Sequence, residues 1–251
     1  MNGTFDVPSG GYRYIPGVFQ YSAGAGALDG FQIERVSFQT PVPLAAGFTF
    51  IEQYLASLGV PLLAFCACEL RSPAQFTDAE FIAFNRHYCG TLERWGVMTG
   101  DRNPVARSNV CPEVDIPPEP SFHAFCFARR SAGASGSFVI AGSGEAEDGH
   151  ASYRERTVRF GDRSPDAMRE KAVFVLGRME QRMTALNATW SDTTAVQVYT
   201  VYDLYPFLQD EIAGRGAARH GLTWHLARPP VQGLDYEMDC RSIPVEHHIR
   251  L

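Results

Sequence analysis

Two arginines stand at matching places in the sequence. Val105-Ala106-Arg107 and Leu226-Ala227-Arg228 each put a guanidinium just after an alanine at the end of an expected strand. A guanidinium is a planar fork that matches a carboxylate bidentately, so either arginine can anchor an acidic small molecule. Glu237 and Asp239 follow on the last long strand, near Leu234–Arg241, and share one side of it by period-two alternation. Glu145 closes a Ser143-Gly144-Glu145 turn. There the glycine lets a ligand approach the backbone closely, and the amides can hold an anion. A cation, a carboxyl group and such a turn suit proton transfer on a bound carboxylate substrate. His225, beside Arg228 in TWHLAR, is a further proton carrier by residue type, although a strand histidine in an apolar setting is more often structural.

Several other chemistries are excluded by spacing. Ser143 is not a nucleophile elbow, because position 141 is Ala and the GxSxG pattern fails. Gly24-x-Gly26 lacks the GxGxxG spacing of a dinucleotide loop. The cysteines at 66, 68, 89, 111, 126 and 240 form no CxxC pair and read as reduced, buried small hydrophobes. The HxE and PCxxC patterns of zinc deaminases are missing, so neither a metal nor another cofactor is expected. The net charge of −6, from 22 basic and 28 acidic residues, argues against nucleic acid as a partner. It does not argue against an anionic small molecule, because one or two focused arginines override the global sign. No apolar run reaches the roughly 18–20 residues of a membrane span. The start, MNGTFDVPSGGYRY, has neither a basic nor an apolar leader region, so a soluble cytoplasmic protein is the expectation.

The elements that must position these residues follow from periodicity. Tyr12–Tyr21 and Phe31–Phe38 read as strands, with the Gly-rich stretch between them as a turn. A helix is expected near Phe48–Leu58, stopped by Gly59, and LLAFCACEL (62–70) reads as a buried strand. Thr77 and Glu80 form a capping box ahead of a helix that carries Phe81, Phe84, Asn85, Tyr88, Leu92 and Trp95 and ends at Gly96. Strands are expected at Asn103–Cys111, 122–128 and 137–146, followed by a charged surface loop. Ser164-Pro165-Asp166 opens a long helix whose inner face is Met168, Ala172, Val175, Met179, Met183 and Leu186. A strand at 193–202, a short helix from Pro206, and strands near Thr223–Pro230 and Leu234–Arg241 complete the chain, leaving the tail PVEHHIRL exposed with His247-His248 as a solvated pair.

The halves repeat one another. IEQYLASLG (51–59) aligns with MEQRMTALN (179–187), LLAFCACELRSPAQF (62–76) with TTAVQVYTVYDLYPF (193–207), and the two Ala-Arg pairs follow in register. Three collinear stretches point to an internal duplication. The reading is an α+β fold of two tandem units, residues 1–120 and 121–251, each a mixed, mostly antiparallel sheet with helices packed on one face.

With these blocks in order, the sequence resembles the RidA (YjgF) superfamily of enamine/imine deaminases, which has a chorismate-mutase-like fold. FVIAGSGEA, the Met168–Leu186 helix, TAVQVYTVYDLYPF, Leu226-Ala227-Arg228 and YEMDC carry the resemblance in the second half. FQYSAG, FNRHY and PVARSNV carry it in the first, and 145–162 reads as an insertion. The whole pattern is similar to a tandem subgroup that includes 2-aminomuconate and 2-amino-5-chloromuconate deaminases.

The resemblance implies a metal-free hydrolytic deamination of an enamine dicarboxylate. It puts Arg107 and Arg228 at the family's arginine position and Glu237 at the glutamate that positions water, with Asp239 as the competitor. Glu145, standing where the family has Gln, becomes an added acid/base; Ser143 and Gly144 line the site, and Tyr21, Ser22, Asn85 and Tyr88 match segments that border it. Two arginines give a reason for two substrate carboxylates. Family sites lie between units of a threefold ring, so a homotrimer or a multiple of it is expected. The alternatives are a chorismatase-like hydrolase of an enol-ether dicarboxylate and a non-catalytic ligand-binding protein.

Overall fold

The computed structural model describes residues 3–133, 136–147 and 152–251. The strands are β1 (Phe5–Val7), β2 (Tyr12–Ile15), β3 (Gly24–Ala27), β4 (Phe31–Pro43), β5 (Phe65–Arg71), β6 (Ala106–Pro112), β7 (Ser121–Arg130), β8 (Phe138–Gly144), β9 (Ala195–Tyr199), β10 (Thr223–His225), β11 (Ala227–Arg228), β12 (Glu237–Ser242) and β13 (Val245–Ile249). The helices are α1 (Leu44–Ser57), α2 (Asp78–Arg94), α3 (Tyr153–Arg156), α4 (Pro165–Ala185) and α5 (Tyr205–Phe207), the last running into a wide turn at Leu208–Ala213. One sheet has the order β11-β6-β5-β7-β4-β13 and the other β1-β2-β3-β8-β12-β9-β10.

The long helices start where their caps dictate. Thr77 accepts from the Glu80 amide while the Glu80 carboxylate accepts from the Thr77 amide, so two orphan donors of α2 are met reciprocally. Ser164 caps α4 ahead of Pro165. Apolar faces then bury the helices. Phe48, Ile51 and Leu55 of α1, with Tyr88 and Leu92 of α2, pack on Phe122, Phe125 and Phe127 of β7. Met168, Val175, Leu176, Met179 and Met183 of α4 pack on Ile140, Val198 and Met238 of the other sheet. Between the sheets lie many small side chains, Ala25, Ala67, Ala106, Ala128 and Ala141 with Cys66 and Cys126, beside Tyr12, Ile33 and Ile243. The layers therefore run helix, sheet, sheet, helix. All six cysteines are free and buried. Among the described residues, no helix is long and apolar enough to cross a membrane.

Within each sheet a four-strand set has the same connectivity. In β4, β5, β6 and β7, the strand β7 is antiparallel to both β4 and β5, and β5 is parallel to β6. In β8, β9, β10 and β12, the strand β12 is antiparallel to both β8 and β9, and β9 is parallel to β10. α1 and α4 follow the first strand of each set.

β7 pairs with β4 and β5 and so joins the first set. The structure corrects three expectations. Gly24–Ala27 is a strand rather than a turn; a Cβ on Gly24 would lie 3.0 Å from Val139 O, so a bare backbone lets β3 join β8. Thr223–Pro230 is two strands in different sheets, β10 on β9 and β11 on β6. The tail is not free, since β13 pairs in parallel with β4; His248 Nδ1 lies 2.6 Å from Ser37 Oγ and His247 Nε2 3.1 Å from Glu34 Oε2.

Candidate active site

A cavity of about 50 Å³ opens where β6 of one sheet meets β8 of the other. Arg107 and Asn109 of β6, Gly142, Ser143 and Gly144 of β8, and Glu237 of β12 form much of its wall. Tyr21, Phe81, Tyr153, Arg156, Arg182 and the segment that holds Val231 and Leu234 complete it. Five residues singled out from the sequence thus meet here: Tyr21, Arg107, Ser143, Gly144 and Glu237.

Arg107 is buried and held from several sides. Its Nη2 donates to Asn85 Oδ1 at 2.5 Å, and Asn85 Nδ2 donates to Phe81 O one turn back on α2. The guanidinium carbon sits 4.8 Å from the Tyr88 ring centre, 5.3 Å from Tyr21 and 5.7 Å from Phe84. Nη1 is buried without a hydrogen-bond partner. Asn109, two residues along the strand and so on the same face, shows the same pattern: Oδ1 accepts from Ser72 Oγ at 2.9 Å, while Nδ2 is buried and without a partner. Buried donors without acceptors cost about 1–3 kcal/mol each, so two of them on one cavity wall mark the place of an acceptor such as a carboxylate.

Glu237 is 4 % exposed. Burial holds its carboxyl well above the ordinary carboxylate range; the Asp239 and Glu145 carboxylates push the same way, and Arg107 and Arg182 only partly oppose them. A carboxyl group whose surroundings favour the protonated form therefore shares the cavity with the guanidinium of Arg107. Asp239, two residues on, is committed elsewhere. It accepts from Ser108 Oγ at 2.5 Å, Tyr199 Oη at 2.9 Å and Gln197 Nε2 at 2.8 Å.

The remaining sequence candidates lie outside the cavity. Arg228 is carried by β11 to the far edge of the other sheet, where its Nε donates to Glu113 at 2.5 Å. Glu145 is fully buried behind the wall, accepting from the amides of Asp235 at 2.6 Å and Tyr236 at 3.1 Å, with Lys171 Nζ at 3.4 Å. It fixes the start of β12, and with it Glu237. Ser22 donates to Pro104 O at 3.1 Å, and its amide donates to Val105 O, which steadies the entry of β6 rather than touching the cavity. Asn85 reaches the site only through Arg107. His225 stacks on Tyr199 at 4.9 Å, and burial with the nearby Arg71 lowers its pKa to about 4. In that state it is neutral.

The cavity lies between the two four-strand sets, with Arg107 from one and Glu237 from the other. Residues 4–247 match the sequence profile of the family described as "2-aminomuconate deaminase CnbZ". The chain belongs to this family. A 2-amino-5-chloromuconate deaminase of Comamonas testosteroni is 51% identical to this CnbZ-family chain over 235 residues, 93% of the chain and 94% of that relative. A crystal structure of chorismatase superposes with a TM-score of 0.53 at 14% identity, covering 92% of the CnbZ-family chain and 77% of the chorismatase. That likeness concerns the fold alone.

Sequence reasoning missed Asn109, Arg182, Tyr153 and Arg156. Asn109 was within reach, since it follows Arg107 by one strand repeat. Arg182 carried no signal, being one of several charges on a long helix. Tyr153 and Arg156 belong to the insertion at 145–162, of which 148–151 lie outside the described residues.

Proposed function

We propose that this protein hydrolyses the C–N bond of a 2-aminomuconate-type enamine dicarboxylate, chlorinated or not, and releases ammonia. The observation that carries the reading is the pairing of two buried, partnerless donors, Arg107 Nη1 and Asn109 Nδ2, with the buried Glu237 carboxyl in one cavity. The donors anchor the carboxylate next to the amino-bearing carbon. Glu237, protonated at rest, gives its proton to the enamine carbon and so produces the imine. As a carboxylate it then accepts a proton from a water that adds to the imine carbon, returns that proton to the departing nitrogen, and takes the carbinol hydroxyl proton as the C=O bond forms, which restores its protonated state. One water enters and one ammonia leaves, giving the 2-oxo acid or its 2-hydroxymuconate tautomer. Family membership and the name of the 51% identical relative support the substrate class.

The matching connectivity of the two strand sets supports reading them as diverged RidA-like copies. The same reading makes the chain part of a homotrimer or a multiple of it, which light scattering checks. Ammonia release from 2-aminomuconate generated in situ tests the activity. Wild type should turn it over, and Arg107→Ala and Glu237→Gln should each lose on the order of 10²–10⁴-fold in kcat/KM. A folded wild-type protein that releases no ammonia, or that instead consumes chorismate, overturns the proposal.

A further inference from the structure

Arg107 differs from the other buried cations of the described residues. Arg35 lies 2.6 Å from Glu69 and 3.0 Å from Glu246, Arg241 2.8 Å from Glu246, Arg71 3.7 Å from Glu69, and Lys171 2.5 Å from Asp235. Arg107 is as deeply buried, at 3 % exposure, yet the partner of its guanidinium is an amide, Asn85 Oδ1 at 2.5 Å. Among the described residues no carboxylate is in ion-pair contact with it. A buried charge without a counterion is costly, so its retention points to a ligand that supplies the opposite charge. We infer that Asn85 is a positioning residue for substrate binding, which aims the Arg107 guanidinium while leaving its charge unpaired for a carboxylate. This rests on the carboxylate anchor of the deaminase reading above.

The helix fixes which end of the amide meets the arginine. Asn85 is fully buried on α2, and its Nδ2 donates to Phe81 O at 2.6 Å, one turn back. That bond leaves Oδ1, the acceptor end, to face Arg107 Nη2. Phe84 and Tyr88 of the same helix set their rings 5.7 and 4.8 Å from the guanidinium carbon, and Tyr21 adds a third at 5.3 Å. Ring faces attract a cation but carry no net charge, so they hold the group without cancelling it. Glu237, which shares the cavity, has surroundings that favour its protonated form, so it does not supply the counter-charge either. An aspartate has nearly the shape of an asparagine. At position 85 it would turn the contact into an ion pair of the kind seen between Arg35 and Glu69, and a substrate carboxylate would then meet a neutral pair. The amide nitrogen of Asn85 is thus what keeps the anchor charged.

The test uses an unreactive ligand, so that it does not depend on turnover. Calorimetry measures cis,cis-muconate, the proposed substrate without its amino group, and thermal melts report the fold. Asn85→Asp should weaken muconate by about 10–100-fold, the span of a charge-assisted hydrogen bond. Asn85→Ala loosens the guanidinium but leaves its charge, and should weaken muconate by less than about tenfold. The Ala variant should nevertheless melt below the Asp variant, because it leaves Arg107 Nη2 buried without an acceptor. A purely structural role for Asn85 gives the reverse order, with affinity following stability. Muconate affinity within about twofold of wild type in the Asp variant, an Ala variant as weak as the Asp variant, or a wild type that binds no muconate overturns the inference. If the Asp variant does not fold, the Ala variant decides, since a loss above about tenfold there overturns it as well. If the order holds but 2-aminomuconate releases no ammonia, the deaminase reading fails while the role of Asn85 stands.

Discussion

Gly142 gives the sharpest check on the place of Glu237. A Cβ added there would fall far inside 3.0 Å of Glu237 Oε1 and at 3.1 Å from both Cα and Cβ of Ser108. β6 packs against β8 at this point, so the Ser108 backbone cannot retreat freely, and the Glu237 side chain must move instead. The displacement needed is on the order of 1 Å, and a misplacement of that size costs on the order of 10²-fold in rate. Overpacking of this kind costs about 1–3 kcal/mol of stability, a fall of roughly 2–12 °C in Tm for a chain of this size. Gly142→Ala should therefore remain folded while ammonia release from 2-aminomuconate drops about a hundredfold. Gly177→Ala is the control. It lies inside α4 with nothing within 4 Å of its would-be Cβ. It should gain about 0.5–1 kcal/mol by helix propensity and leave activity alone. Full activity in a folded Gly142→Ala variant would refute the assignment of Glu237 to the reaction.

Three further outcomes follow from the buried charges. Lys171 is fully buried between Asp235 at 2.5 Å and Glu145 at 3.4 Å, so Lys171→Met takes the buried cation from both carboxylates, leaving Asp235 the half-exposed Arg163 and Glu145 two backbone amides, and should cost about 3–5 kcal/mol, read as a large fall in Tm. His123 has a pKa lowered to about 3 by burial and by the Arg71 charge, so the folded state binds its proton less readily than the unfolded chain. Its contribution is present above the ordinary value of 6.5 and is lost as pH falls toward 3, by up to about 1.4 kcal/mol per pH unit. His123→Gln should flatten that acid limb in pH-dependent denaturation. Arg228→Ala removes a part-exposed ion pair with Glu113 and a hydrogen bond to Tyr202, and should leave ammonia release within about twofold; a loss near that of Arg107→Ala would return Arg228 to the site.

Most of the helices and central strands could be read from the sequence because local chemistry and burial agree there. The capping box at Thr77, the Ser164-Pro165 start and the aromatic run of β7 each state their structure within a few residues. The elements that were misread depend on distant partners. β3 is a GAGA segment with no side-chain period, made a strand by the close approach of β8. β13 carries polar edge residues, and only β4, some 200 residues earlier in the chain, makes it a strand. Of the site, the residues on strands or next to a recognisable motif were legible. Arg182 was not, because what distinguishes it from the other charges of α4 is a contact with the edge of β8.

The two Ala-Arg segments end in different surroundings because their strands run differently. Arg107 lies on a continuous strand, β6, parallel to β5. Its counterpart segment breaks after His225: β10 stays on β9, while Ala227–Arg228 crosses to pair with Cys111 and Pro112 at the end of β6. The break takes Arg228 out of its own sheet and against Glu113. Glu237 stays with the second set, on β12, and faces the cavity that Arg107 enters from the first. The second strand set thus supplies Glu237 and the first supplies Arg107, so the site needs both sets in one chain.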